Sequence, residues 1–425
     1  MKEINIIGGG LAGSEAAIYI ASKGIKVRLF EMRPFKLTEA HKTGNFAEIV
    51  CSNSLGSLNP ENGRGLLKEE ILSLGSVLLR TAFECKVPAG KALAVDRECF
   101  SKKITEIIES NPLIEVVREE VSEISEGITI VATGPLTSEK LLFYLKEKFG
   151  IKDLYFYDAL SPVVVAESLN MDKLFFGGRY DQPADYLNAP MTKEEYLRFR
   201  EALISAKRHL PHDFDKKFFE ACLPVEEIAM RGEDALRFGP LRPKGFNKKY
   251  YAVVQLRKEN KAGTLYELVG FQTALTYPEQ KRVFRMIPGL ENAEFVRFGS
   301  IHKNAYIKSS ALLDKFLRLK KNPNVFFAGQ ISGVEGYVEA IGTGLFAAIN
   351  AVRMARNEKP IEIPENTMLG SLIRFITENE LETPQPMRAN FGIIPAGFFD
   401  IPKSVRKKKF IETSRKSIEE LKKAI

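Results

Sequence analysis

The most regular pattern of apolar and polar positions lies at the start of the chain, in EINIIGGGLAGSEAAIYIASKGIKVRLFE. Residues 3–7 are a short apolar run that predicts a buried strand. Residues 14–23, rich in Ala and Ile and stopped by Gly24, predict a helix. Residues 25–30 predict a second strand, which ends in Glu31. Near the other end, residues 325–328 predict a strand closing on Gly329. A Gly/Ser/Glu loop follows, then a helical pattern from about Glu339 to Arg356 with Gly342, Thr343 and Gly344 in its first turn. ITIVATGPL, residues 128–136, predicts a further strand ending in Ala-Thr-Gly. In the middle, residues 212–232 suggest a partly buried helix carrying Phe214, Phe218 and Phe219, with Cys222 in its last turn and Pro224 ending it. Beyond about Tyr250 the pattern turns to strands, in YYAVVQLR, TLYELVGFQTALT and AEFVRFGSIHKNAYI, with a helical PEQKRVFRMI between them.

The glycines between the first strand and helix carry chemistry. Gly8-Gly9-Gly10-Leu11-Ala12-Gly13 satisfies G-x-G-x-x-G inside a strand–helix–strand unit. Gly8 makes the tight turn, Gly10 lets a pyrophosphate approach the backbone, and Gly13 lets helix and strand pack closely. The helix N-terminus then offers N–H groups and a positive dipole end to phosphate. Glu31 is placed to accept hydrogen bonds from an adenosine ribose, which favours NAD or FAD over NADP. The second strand–loop–helix, at residues 325–347, would bring its helix N-terminus to the N1/O2 edge of a flavin, where negative charge appears on two-electron reduction. One cofactor motif at each end predicts an α/β fold: a discontinuous Rossmann-like FAD-binding domain of the two-dinucleotide-fold type with an inserted α+β domain. The expected division is 1–172 and 310–425 for the FAD-binding domain, the latter with a basic C-terminal tail, and 173–309 for the insertion.

Charge changes the picture of the insertion. The chain of 425 residues carries a formal charge of +8. Residues 173–309 hold 24 Lys and Arg against 17 Asp and Glu, a net of +7. An acidic partner contacted by the middle region is expected. Basic residues cluster at Lys207-Arg208, at 242–249, at 257–261, and at Lys281, Arg282 and Arg285, interleaved with Phe246, Tyr250, Tyr251, Phe284 and Phe298. Cations track a phosphate backbone and aromatic faces accept splayed bases, so this mixture suits RNA. Hydrophobic residues make up 44% and charged residues 27%, enough for a core in a water-soluble chain. No apolar run of bilayer-spanning length and no leader pattern is visible, so a cytoplasmic protein is expected. The four cysteines, Cys51, Cys85, Cys99 and Cys222, are too scattered for a disulfide framework, and no C-x-x-C or histidine pattern predicts a metal site.

Cys51 stands out within EIVCSNSLGS, where an apolar run gives way to turn residues. Such a thiol is either half-buried and inert or placed to react. Taken together, NIIGGGLAGSEAA, EMRP, EIVCSNS, ALAVDRE, VATGPL, ACLPVEE, RFGSIHKN and AGQISGVEGYVEAIGTG resemble the bacterial FAD- and folate-dependent tRNA (uracil-5-)-methyltransferases, the TrmFO family. The resemblance covers nearly the whole chain. It implies that 5,10-methylenetetrahydrofolate donates a one-carbon unit to C5 of a uridine in the tRNA T-arm, with FAD as electron carrier and NADH or NADPH as reductant. It further implies that Cys222 is the nucleophile toward uracil, Cys51 the second functional thiol, and His302 the residue that stacks on the folate. Tyr337 would lie near the flavin. Cofactor contacts are expected from Gly8, Gly9, Gly10, Leu11, Ala12, Gly13, Glu31, Met32, Arg33, Thr133, Gly134, Gly329, Gln330, Gly336, Tyr337 and Ala340. Cys85 and Cys99 are expected to be structural. Three other readings stay open: a wobble-uridine modifier like the longer MnmG proteins, which add a C-terminal helical domain, a small-molecule flavin oxidoreductase, and a flavoprotein that only binds or chaperones tRNA.

Overall fold

The computed structural model describes residues 3–151, 153–209, 223–382 and 384–425. β1 (Ile4–Ile7) is buried at every position, as a central parallel strand covered on both faces must be. It turns into α1 (Leu11–Ser22), and β2 (Val27–Phe30) follows. The turn needs glycine. Gly8 has φ +103°, and a Cβ there would lie 2.6 Å from the Ala132 carbonyl oxygen. A Cβ on Gly13 would lie 1.8 Å from the Gly8 carbonyl oxygen. The helix begins at Leu11, earlier than the apolar pattern suggests, because extended Gly10 already serves as its N-cap.

β3 (Ser54–Ser57), α2 (Gly63–Ser73), α3 (Val77–Glu84), β4 (Lys86–Val87), β5 (Ala92–Val95) and α4 (Arg97–Glu109) come next. β6 (Ile114–Val117), β7 (Ile128–Val131) and α5 (Glu139–Phe149) complete this part. β7 stops short of the expected residue 136 because Gly134, at φ +67°, and Pro135 turn the chain. β8 (Asp153–Ala159) then carries the chain away. The next elements are β9 (Val163–Val165), β10 (Phe175–Gly177), β11 (Tyr186–Met191), α6 (Lys193–Ser205), α7 (Val225–Met230), α8 (Ala235–Phe238), β12 (Ala252–Lys258), β13 (Leu265–Leu268), α9 (Tyr277–Phe284) and β14 (Phe295–Arg297). β15 (Ile301–Ile307) returns antiparallel to β8. α10 (Ser309–Leu312), β16 (Arg318–Leu319), β17 (Asn322–Phe327), α11 (Tyr337–Ala355), α12 (Met368–Glu378) and α13 (Lys403–Lys422) close the chain. The expected helix over 214–222, with Cys222, lies outside the described residues.

Two six-stranded sheets organise these elements. The first has the order β16-β17-β7-β1-β2-β6, parallel from β17 to β6, so the two ends of the sequence share one sheet. The second, β10-β11-β12-β13-β9-β14, is antiparallel throughout. Each has its own apolar core. One draws on residues 4–151 and 307–421, the other on residues 164–293. The second core includes Val164 and Leu169, ahead of the expected start at 173. β9 lies between β13 and β14 and cannot be separated from their sheet.

α11 begins at Tyr337, so Gly342, Thr343 and Gly344 fall beyond its first turn. A Cβ on Gly344 would lie 2.3 Å from the Ala12 carbonyl oxygen, so this glycine serves close packing of α11 on α1. By length and composition α11 could cross a membrane, but 78% of its apolar window is buried within the protein. Cys85 and Cys99 form a disulfide, with Cα atoms 5.8 Å apart. It is one local bridge between the end of α3 and the start of α4, brought together by the β4–β5 turn.

The C-terminal helices are tied down by α2. Buried Glu70 accepts from the Met368 and Leu369 amides at 2.6 and 2.8 Å and from Ser414 Oγ at 2.5 Å. Burial outweighs these bonds and pushes the carboxyl up to about 7. A carboxyl raised in the folded state contributes stability that is whole below the unfolded value of 4.5 and is lost as pH rises through 7. Replacing Glu70 by Gln removes that dependence. The amide of Gln mimics the neutral acid, so the unfolding free energies of wild type and Glu70→Gln are expected to lie closest near pH 5. Wild type is expected to lose about 3 kcal/mol relative to the variant toward pH 9, read by denaturant unfolding.

Candidate cofactor and thiol site

The carboxyl ends of the parallel strands open on one cleft, where open α/β sheets take their ligands. Gly8, Gly10, Leu11 and Ala12 line it after β1, and Glu31, Met32 and Arg33 after β2. Thr133 and Gly134 contribute after β7, Gly329 and Gln330 after β17, and Gly336, Tyr337 and Ala340 at the start of α11. About 1050 Å³ lies empty between them, part of it open to solvent. Two features suit a dinucleotide. A Cβ on Gly10 would meet nothing within 4 Å, so the backbone there faces open space. The N-caps of α1 and α11, Gly10 and Gly336, make no side-chain capping bond, which leaves first-turn amides for an anionic ligand.

Glu31 lines the cleft, but its carboxylate is already engaged. Oε2 accepts from the Gly9 amide at 2.8 Å and Arg33 Nη2 at 3.0 Å, and Oε1 accepts from Arg33 Nε at 2.9 Å. Burial opposes its ionisation, yet Arg33 and the Gly9 amide hold it below the ordinary carboxylate value. Arg33 reaches on to Glu48 at 3.2 Å. Gly9 and Gly13 stand behind the cleft wall. A Cβ on Gly9 would strike the Phe46 ring at 2.4 Å, so this glycine serves packing there.

Thr38, His41 and Glu48 also line the cleft and escaped the sequence reading. The turn-rich stretch around a single histidine was the available signal. His41 Nδ1 lies 2.6 Å from Thr38 Oγ1. Burial, and next the Arg33 cation, push His41 down to about 4, so it stays neutral at physiological pH.

Cys51 is half-buried beside the cleft, and its amide donates to the Tyr337 hydroxyl at 2.9 Å. Its loop is held by a cluster of buried charges from far along the sequence. Arg97 donates to the carbonyls of Ile49 and Cys51 and pairs with Glu259 at 2.7 Å. Arg257 donates to Ser52 Oγ at 2.6 Å and Asn53 Oδ1 at 2.8 Å and pairs with Glu267. Arg297 reaches Glu259 at 3.7 Å. Burial opposes ionisation of both carboxyls. Arg97 and its neighbours hold Glu259 below the ordinary value, while burial leaves Glu267 raised despite Arg257. The quoted ALAVDRE and RFGSIHKN contain Arg97 and Arg297. No spacing revealed their shared carboxylate partner, Glu259, which directly follows β12.

His302 lies on β15 and is 6% exposed. Its ring nitrogens meet Ser300 Oγ at 3.0 Å and Glu39 Oε2 at 3.4 Å. It does not line the cleft, but it abuts the loop of Thr38 and His41 that does. Cys222 lies outside the described residues.

Residues 3–359 match the family described as glucose inhibited division protein A, GIDA. A relative from Carboxydothermus hydrogenoformans, named methylenetetrahydrofolate–tRNA-(uracil-5-)-methyltransferase TrmFO, is 57% identical over 401 residues, covering 93% of this chain and 92% of its own. The protein of that name from Thermotoga maritima is 52% identical over 430 residues, with coverage of 98% and 99%. Among solved structures, Aquifex aeolicus GidA in its form I crystal superposes with a TM-score of 0.71 over 98% of this chain and 76% of that chain. At 18% identity it speaks to the fold alone, and it supports the α/β architecture with a parallel sheet. Relatives this close, over almost the full length of both chains, lead to one conclusion: the chain belongs to the GIDA family and, within it, to the TrmFO proteins.

Proposed function

We propose that this protein methylates C5 of the T-loop uridine at position 54 of tRNA. The one-carbon donor would be 5,10-methylenetetrahydrofolate, and NADH or NADPH would reduce a bound FAD. The observation that carries the reading is the hydrogen bond from Cys51 to Tyr337, which joins a thiol loop to the dinucleotide cleft in a chain whose relatives bear the methyltransferase name. When bound, FAD would supply the two electrons that turn a transferred methylene into a methyl group.

The residues of the chain divide the remaining work. The amides at the start of α1 would hold the pyrophosphate, Glu31 and Arg33 the adenosine end, and the start of α11 the negative charge of the ring system. Uracil C5 is a poor nucleophile until a thiolate adds at C6. Cys222 is the candidate for that addition. C5 then attacks the methylene carbon, a base removes the C5 proton, and the folate nitrogen leaves to give an exocyclic methylene; addition of a hydride equivalent to that methylene then expels the thiolate from C6. Cys51 is the candidate second thiol. Arg97 donates to its carbonyl, and Arg297 lies within electrostatic reach of it. His302 and the adjoining Glu39–His41 loop would hold the folate.

Nucleoside analysis of tRNA incubated with the purified protein tests this. 5-Methyluridine is expected only when methylenetetrahydrofolate and NAD(P)H are both present. Product from S-adenosylmethionine alone, or a modified wobble uridine in its place, would overturn the proposal. Gly10→Ala puts a methyl group where open space faces the cleft. It should leave the melting temperature of the apoprotein within about 2 °C and sharply weaken flavin retention, read by absorbance after gel filtration. Arg97→Lys keeps the charge but loses the fork that grips Ile49, Cys51 and Glu259 together. Flavin should remain bound while methyl transfer drops about tenfold or more.

A further inference from the structure

The arginines around Cys51 all face carboxylates. A second group of cations does not. Among the described residues, Arg179, Arg242, Lys244, Lys248 and Lys249 form no ion pair. Arg179 is the most telling of them. Its Nε and Nη2 are shielded from water and meet no acceptor, and Arg242 is close enough to oppose its charge. Two guanidiniums within electrostatic reach of each other, neither in an ion pair, favour an anionic partner.

Aromatic rings frame this place. Phe175 stacks on Tyr250 with centroids 5.3 Å apart, and Phe246 meets the two edge-on at 5.6 and 6.1 Å. Arg179 lies over the Phe246 ring at 5.4 Å. Tyr180 is 59% exposed, although its backbone is fixed: its amide donates to the Gly245 carbonyl at 2.7 Å, and its φ of +56° is rare for a bulky residue. The fold thus holds a large ring out in water beside unpaired cations. The hairpin that carries it, between β10 and β11, ends at Tyr186, which sits in register with Arg257. Arg257 in turn grips the loop of Cys51.

We propose that Arg179, Tyr180, Arg242 and the loop of residues 244–250 form a docking surface for the substrate RNA, with a phosphate taken by the two arginines and an unpaired base stacked on Tyr180. The proposal rests on the tRNA reading above and locates where the acceptor lies on the inserted sheet. Guanidinium forks match phosphate geometry, and loop nucleotides offer the splayed bases that protein aromatics accept.

The test is the affinity of the flavin-loaded protein for unmodified tRNA, measured by anisotropy across a salt series. Arg179→Gln with Arg242→Gln should lose about tenfold in affinity and flatten the salt dependence by about two phosphate contacts. Tyr180→Ala should lose about fivefold with the salt slope unchanged, and Tyr180→Phe should restore it. Lys408→Ala with Lys409→Ala, exposed on α13, should stay within about twofold of wild type. Flavin absorbance and melting temperature check folding; if the arginine pair disturbs either, the exposed Tyr180→Ala and Arg242→Gln carry the test alone. Variants that bind like wild type, or that lose no more than the α13 control, overturn the surface while a wild type that forms 5-methyluridine keeps its function. A wild type that neither binds tRNA nor methylates it overturns both.

Discussion

The structure turns on one buried electrostatic constraint: Arg97, Arg257 and Arg297 share the seam between the two cores with Glu259 and Glu267. Charges removed from water are tolerable only when every member keeps its partners. The partners here come from the start of α4, from β12 and β13, and from β14. Satisfying them fixes the inserted sheet against the first domain. It also fixes the 49–53 loop, because the same guanidiniums donate to its carbonyls and side chains. Three arginines to two glutamates leaves an excess of positive charge next to Cys51.

A second constraint is steric. α1 and α11 pack so closely that Gly344 meets the Ala12 backbone, and Gly13 meets Gly8. That closeness aims two helix N-termini at one cleft, although the helices are more than 300 residues apart in sequence. Two sets of first-turn amides converging on one space make an anion-binding wall from backbone groups. The Cys51–Tyr337 bond then joins this wall to the thiol loop.

The two domains manage charge in different ways. At the seam, arginines are buried and paired, which holds groups rigidly. On the hairpin and loop around Tyr180, cations are unpaired and beside aromatic rings. Paired charges specify geometry, whereas unpaired charges favour an anionic partner. The +7 excess of the middle third is therefore not a uniform coat, because part of its arginine content is spent internally at Arg257 and Arg297.

Local features were legible from residues alone. The glycine turn after β1 and Glu31 at the end of β2 depend on contacts within about thirty residues, where spacing is informative, and the return of a β17–α11 unit to the same sheet was legible because each end carries its own local cofactor motif. The starts of α1 and α11 were misplaced because glycine at a helix N-cap breaks the apolar pattern before the helix does. What the sequence determined by itself was the strand–glycine–helix chemistry and the presence of Cys51 in a small-residue loop. Only the tertiary structure decided that Gly9 packs against the Phe46 ring and Gly344 against α1, that Cys85 and Cys99 meet, and that Arg97 reaches Glu259 from 162 residues away. Those outcomes arise from burial and pairing between distant segments, and neither leaves a period or a spacing in the chain.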